Sequence, residues 1–463
     1  MRLRSQLSLK RLADYKSESL MMSKQFSRAL ALLSLFGLLT ATLFVDSQVT
    51  AQGAHGPQAA GVATGTARNA AIVATTAAVL KETSELRELP ILRPVKSGAQ
   101  SRPEIERMII KNLDEETTPA EMHATEVALK KFGLVPPDFQ YRPFVIKLLS
   151  EQVAGYYDPK AQQFYLADWI ELEGQKPVMA HELTHALQDQ HFNLRRFENW
   201  PKGDSDAELA AHALIEGDAT LAMTLYMAKN PLVALAFIRS LGAEGMSSEQ
   251  FKQAPRALRE SLVFPYEQGY EWATQLYKSG GWTLISKAFK KLPQSSEQIL
   301  HADKYLAYEP PIKVALPDLR SVLGPGWKRI DYDVSGEWSY YLILDQFLNA
   351  PAESKRAAAG WAGDRYEIFE GNKPGDVCIA QLTAWDSEND AKEFFDAYTK
   401  RTWLRYSDAR ASEIGAVAGQ GERHGWQTSE GGVMLELRGS RVLILEGIPA
   451  GIDPRNLLRL AWQ

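Results

Sequence analysis

Val178-Met179-Ala180-His181-Glu182-Leu183-Thr184-His185-Ala186-Leu187 is the stretch on which the reading of this chain turns. Met179, Leu183, Ala186 and Leu187 supply an apolar face, and the spacing predicts a helix over Val178 to His191. On that helix His181 and His185 stand four residues apart, about 40° round the wheel, so both imidazoles point the same way. Two neutral imidazole nitrogens so placed can meet one zinc ion at about 2.0–2.1 Å. Glu182 lies about 100° round from His181, where it can address a water on that metal as general base. With 8 His in the chain, an H-E-x-x-H arises by chance about once in a hundred such sequences. The local context adds weight. Tyr156-Tyr157-Asp158-Pro159-Lys160 reads as a strand turning at Asp-Pro, and Gln163-Phe164-Tyr165-Leu166 as its hairpin partner.

Composition narrows the chemistry around this motif. The 463 residues exceed what one core usually organises, so two domains are expected. A formal net charge of -5 offers no basic face for nucleic acid. Cys378 is the one cysteine, which excludes an intrachain disulfide and a thiolate cluster. Any metal must use His and carboxylate ligands, the donor set of a catalytic rather than a structural zinc.

Two residues compete to be the third ligand. His191 follows His185 by six positions, the spacing of H-E-x-x-H-x-x-G-x-x-H. That pattern needs a glycine to turn the chain, and Gln188 stands there instead. On a continuing helix His191 sits about 240° from His185, facing away, and suits the helix C-terminus better. The rival is a carboxylate on the helix expected from Ser205 to Met227. Glu208, His212 and Glu216 share one face of it. Glu216 is preferred, because Gly217 beside it lets two helices approach closely. Asp218 can accept the second ring proton of a liganding His.

At this point the sequence resembles the gluzincin metallopeptidases, which pair an H-E-x-x-H helix with a Glu ligand on the next active-site helix, as in thermolysin-like enzymes. The resemblance covers roughly residues 150–225. It implies His181, His185 and Glu216 as ligands of one zinc ion, and Glu182 as general base and later proton donor to the leaving amine. It further implies a peptide or protein substrate and a His or Tyr donor to the oxyanion from the C-terminal side of the domain. His301 is the first candidate for that donor, with Tyr305, Tyr266 and Tyr270 behind it. The chain departs from the family in having Ile215-Glu216 where an Asn-Glu pair is usual, and in placing Asp218 two residues after the ligand rather than four. A retained fold without turnover, serving as a scaffold, and hydrolysis of something other than peptides are the competing functions.

The remaining sequence sets the organisation. Lys24 and Arg28 precede an apolar run, Ala29 to Val45, and Val49-Thr50-Ala51 follows it, so residues 1–51 read as a signal peptide or signal anchor. This implies export, to the medium or the periplasm, with membrane contact only through an uncleaved 29–45 segment. Residues 52–100, rich in Ala, Gly and Thr at first, are expected to be a flexible tether. A mainly helical zincin-like domain with a small sheet follows over 101–312. Its expected helices are Arg102 to Phe132, Phe144 to Val153, Pro231 to Leu241, Tyr266 to Lys278 and Gly281 to Lys291. Phe164-Tyr165-Leu166 is either a sheet edge for an extended substrate or a buried strand, and Trp169 and Trp200 bracket the metal helix. Pro310-Pro311 and Pro317 mark a boundary to a small α+β domain over 313–463. Short strands there flank an amphipathic helix, Glu388 to Arg401. The expected fold class is therefore α+β throughout.

Overall fold

The computed structural model describes residues 65–169, 171–198, 200–244, 249–412 and 421–463. The expected signal segment, including residues 29–45, lies outside them. No single helix among the described residues is long and apolar enough to cross a membrane.

The chain is α+β. Its elements run α1 (Gly65–Arg87), β1 (Lys96–Gln100), α2 (Arg102–Glu116), α3 (Pro119–Phe132), α4 (Tyr141–Gln152), β2 (Gly155–Asp158), β3 (Gln163–Ala167) and α5 (Leu172–Phe192). A 3-10 turn, Leu194–Phe197, leads to α6 (Ser205–Lys229), α7 (Pro231–Glu244), α8 (Glu249–Gln253), α9 (Arg256–Ala288), α10 (Ser296–Leu300), α11 (Ala302–Ala307) and α12 (Arg320–Leu323). Then come β4 (Lys328–Asp333), α13 (Gly336–Leu348), α14 (Pro351–Ala358), β5 (Trp361–Glu370), β6 (Val377–Trp385), α15 (Glu388–Arg405), β7 (Arg410–Ala411), β8 (Arg423–Thr428), β9 (Gly431–Arg438), β10 (Arg441–Ile448) and α16 (Pro454–Ala461).

Two expectations fail here for physical reasons. Residues 65–100 are no tether. An Ala-rich run has high helix propensity, and α1 uses it to bury Ile72, Val79 and Leu80 against Met179 and Leu183 of α5. β1 then pairs in parallel with β3. The helix expected over Arg102 to Phe132 is two helices. Thr118 caps α3 in a reciprocal box with Glu121, and Pro119, lacking an N–H, opens it.

The three-stranded sheet has the order β1-β3-β2. It lies against α1 and α5, with Phe164 and Leu166 of β3 in the same cluster as Leu183 and Leu187. The second sheet has seven strands in the order β4-β5-β6-β10-β9-β8-β7, with every pairing antiparallel. Both of its faces are covered. Val442 and Ile444 face Phe394 and Phe395 of α15, while Leu443 and Leu445 face Leu457 and Leu458 of α16. That is why this strand reads as a continuous apolar run rather than an alternating one.

α6 is the axis of the helical region. Gly217 and Gly269 bring it against α9: a Cβ on Gly217 would lie 2.1 Å from the Gly269 carbonyl oxygen, and one on Gly269 2.2 Å from that of Ala213. Only hydrogen in place of a side chain permits this approach.

Candidate metal centre

α5 packs across α6 so that His181 and His185, from adjacent turns of one helix, meet Glu216 from the middle of the other. His181 Nε2 stands 3.0 Å from His185 Nε2 and 3.1 Å from Glu216 Oε2, and His185 Nε2 lies 3.4 Å from that same oxygen. All three side chains are buried. Donor atoms bonded at about 2.0–2.1 Å to a tetrahedral ion stand about 3.4 Å from each other. The triangle therefore has the dimensions one divalent ion needs, and its two imidazoles and one carboxylate suit such an ion chemically.

The electrostatics favour positive charge at the centre of this triangle. Burial alone would raise the Glu216 carboxyl, but the His185 and His181 imidazoles outweigh it and hold it down at about 2. Desolvation opposes charge on His185, yet the Glu216 carboxylate overcomes it and lifts that ring to about 9. At His181 burial wins, and the ring shifts down.

Glu182 is buried beside the cluster. Its Oε2 accepts the Tyr157 N–H from β2 at 3.0 Å, and burial raises its carboxyl to about 8 against the pull of His185. A cleft beside the site is lined by Tyr156, Tyr157, Asp158, His185, His212 and Glu216, together with Leu194, Phe197, Glu116 and Lys160. His212 is kept neutral by burial, which lowers it to about 4. Tyr266 of α9 stacks on His181 with centroids 6.0 Å apart.

His191 faces away from the cluster as expected of a continuing helix, its Nε2 donating to the Pro90 carbonyl at 2.7 Å. Other expectations are corrected by this geometry. His301 pairs with Glu337 at 2.9 Å. It follows α10, whose Ser296 N–H bonds Asp206 near the start of α6, ten residues and about 15 Å of helix from Glu216. Asp218 does not touch an imidazole; it is two residues past Glu216 and so faces another side of α6, toward Arg87 and Gln188. Gly217 serves the α6–α9 contact rather than the approach of α5. Phe164-Tyr165-Leu166 forms the central strand of its sheet; the edge beside Glu182 is β2. Trp169 lies under the Arg102 guanidinium, and Trp200 stacks on Phe197.

Two residues at the site escaped sequence reading. Gln188 occupies the position at which a glycine was sought, and its Oε1 accepts from His185 Nδ1 at 2.9 Å. Arg87 arrives from α1, inside the supposed tether, and is fully buried against Asp218. The signal for the first was a long polar side chain three residues after the second His of the motif, at helical contact distance. For the second there was no local signal.

Comparison with known proteins bears on the other end of the chain. A family model described as Domain of unknown function (DUF8575) matches residues 322–455, which hold the seven-stranded sheet and none of His181, His185 and Glu216. No curated protein and no solved structure matches the chain.

Proposed function

We propose that this chain is an exported zinc-dependent peptidase with a zincin-like helical domain, in which Glu182 acts as general base. The observation that carries the proposal is the convergence of His181 Nε2, His185 Nε2 and Glu216 Oε2 within 3.0–3.4 Å of one another, next to Glu182. These three residues would hold the zinc ion, which when bound supplies Lewis acidity and lowers the pKa of a water toward 7.

The chain's own groups account for the rest of the chemistry. Tyr157 N–H fixes one oxygen of Glu182, and in its ionised form, which a cation bound beside it would favour, this carboxylate takes a proton from the attacking water and passes it to the leaving amine. His212, one helical turn before Glu216 and facing the same cleft, is the candidate donor to the oxyanion in the role first given to His301. The β2 edge borders that cleft, and its backbone can take up an extended peptide as an added strand. Export is supported by the basic and apolar order of residues 24–51.

The test is metal analysis of the purified chain, together with cleavage of a reduced, unfolded protein by the wild type and by Glu182→Gln. We expect one zinc per chain in both, and hydrolysis lowered by about 10²–10⁴ in the variant. Zinc without any cleavage by the wild type sinks the peptidase reading in favour of a scaffold. No zinc in the wild type sinks the metal centre itself.

A further inference from the structure

Gln188 lies one turn beyond His185 on α5 and is fully buried. Its Nε2 donates to the Ile215 carbonyl at 3.0 Å and to Asp218 Oδ2 at 2.9 Å. Both partners only accept: one is a backbone carbonyl, the other a carboxylate facing a guanidinium. The amide therefore cannot be turned over, and Oε1 must be the atom that faces His185 Nδ1. An amide oxygen has no proton to give, so Nδ1 carries the hydrogen. In the neutral ring that leaves Nε2 as the lone-pair atom, aimed at His181 and Glu216.

The chain of fixed polarity ends on Arg87, the last residue of α1. Its Nε donates to Asp218 Oδ1 at 2.5 Å and its Nη2 to Oδ2 at 3.1 Å, with both side chains fully out of solvent. The guanidinium also lies over the Trp282 ring at 4.5 Å, which holds its plane. His181 has no such support: its Nδ1 has no hydrogen-bond partner among the described residues. His185 is thus the imidazole whose tautomer and tilt the protein sets.

We propose that Arg87 is a positioning residue of the metal centre, acting through Asp218 and Gln188 to present His185 Nε2 to the ion. The proposal rests on the zinc-site reading above and extends it to a helix 94 positions before the first His ligand. Carboxylate partners of liganding histidines commonly sit one bond away; here an amide is interposed and an arginine anchors the far end.

The test is the zinc dissociation constant of the full chain, from competition with a chromophoric chelator, with the metal-free thermal midpoint measured alongside. Gln188→Met breaks the relay while leaving Arg87 and Asp218 paired, so no buried charge is stranded. Arg87→Met combined with Asp218→Asn removes both charges together for the same reason. Each is expected to raise the dissociation constant by about 10–100-fold, and Arg87→Lys, which keeps a cation but gives up the bidentate pair with Asp218 and the stacking on Trp282, raises it by a smaller factor. A merely structural role would lower the metal-free midpoint and leave the zinc constant where it was. If Gln188→Met or the double variant, folded by circular dichroism, binds zinc within about twofold of wild type, the relay has no positioning role. If the wild type itself takes no zinc from the chelator, the zinc-site reading falls and the relay falls with it.

Discussion

Gly217→Ala separates two opposed effects at one position. Gly217 is an interior residue of α6, and in a helix interior alanine is favoured over glycine by about 1 kcal/mol. Propensity alone therefore predicts a more stable protein. The α6–α9 contact predicts the reverse, because the new methyl would lie 2.1 Å from the Gly269 carbonyl oxygen, where even tight contacts need more than 3 Å. The obstacle is backbone, so no side chain can swing aside, and the two helices must part by roughly 1 Å. Overpacking of this kind costs about 1–3 kcal/mol. With an immovable partner the upper end applies, which leaves a net loss of about 2 kcal/mol after the helical gain. Urea unfolding of the metal-free chain, followed by tryptophan fluorescence, reads this as a lower midpoint. Zinc affinity should fall too, since Glu216 is the preceding residue on the displaced helix. A midpoint raised by the substitution would show that propensity dominates and that the two helices are not locked as described.

Glu216→Ala should abolish zinc binding while His191→Ala keeps one equivalent, as read by metal analysis after gel filtration; the opposite pattern would move the third ligand to His191. The Glu446 cluster gives a prediction in acid. Burial opposes charge on that carboxyl, but Arg401 and Arg405 outweigh it and hold it at about 2. A lowered folded pKa means the stabilisation is complete above the unfolded value, about 4.3, and is lost as pH falls toward 2. The shift corresponds to about 3 kcal/mol. The stability gap between wild type and Glu446→Gln should therefore shrink between pH 4.5 and 2, and a gap independent of pH would refute the assignment.

Local order was legible, and contacts over long sequence separations were not. The α5 helix, the hairpin of β2 and β3, and the strands β5, β6, β8, β9 and β10 follow from local sequence pattern, which depends on neighbours a few residues apart. Gly280-Gly281 marked the break inside α9, where both residues leave helical geometry. Thr118-Pro119 with Glu121 carried an equally readable signal for a helix start, but Ile105, Ile109 and Leu113 before it and Val127 and Leu129 after it kept near-helical spacing and masked the break. The tether was misread because composition is blind to what a segment meets. An Ala-rich stretch looks unable to bury much, yet α1 finds a ready apolar face on α5. Missing β1 had a further consequence: with its parallel partner hidden in that tether, β3 could be read either as an edge or as a buried strand. His301 failed for a related reason: a lone histidine shows its role only through its partner, and Glu337 is 36 residues away.

The position of Glu216 follows from how α6 is held, and α6 is held by parts of the chain far from the motif. Its N-terminus is fixed from the sheet region: Asp333 accepts the Ser205 N–H at 2.8 Å, Arg365 donates to the Gly203 carbonyl at 2.6 Å, and Lys313 pairs with Asp204 at 2.9 Å. Gly336 lies so close to Asp206 that a Cβ there would overlap the carboxylate. Past its midpoint α6 is fixed by Arg87 on Asp218. Glu216 sits between these two anchors on a rigid rod, so its oxygen has little freedom along or around the axis. α5 is restrained from the same N-terminal segment: Arg93 pairs with Asp189 at 2.6 Å, Asp189 accepts the Tyr157 hydroxyl at 3.0 Å, and the Tyr157 N–H holds Glu182. Residues 87–93 thus touch the support of the proposed ligand Glu216 and of the proposed base Glu182 at once, so their contacts bear on both positions.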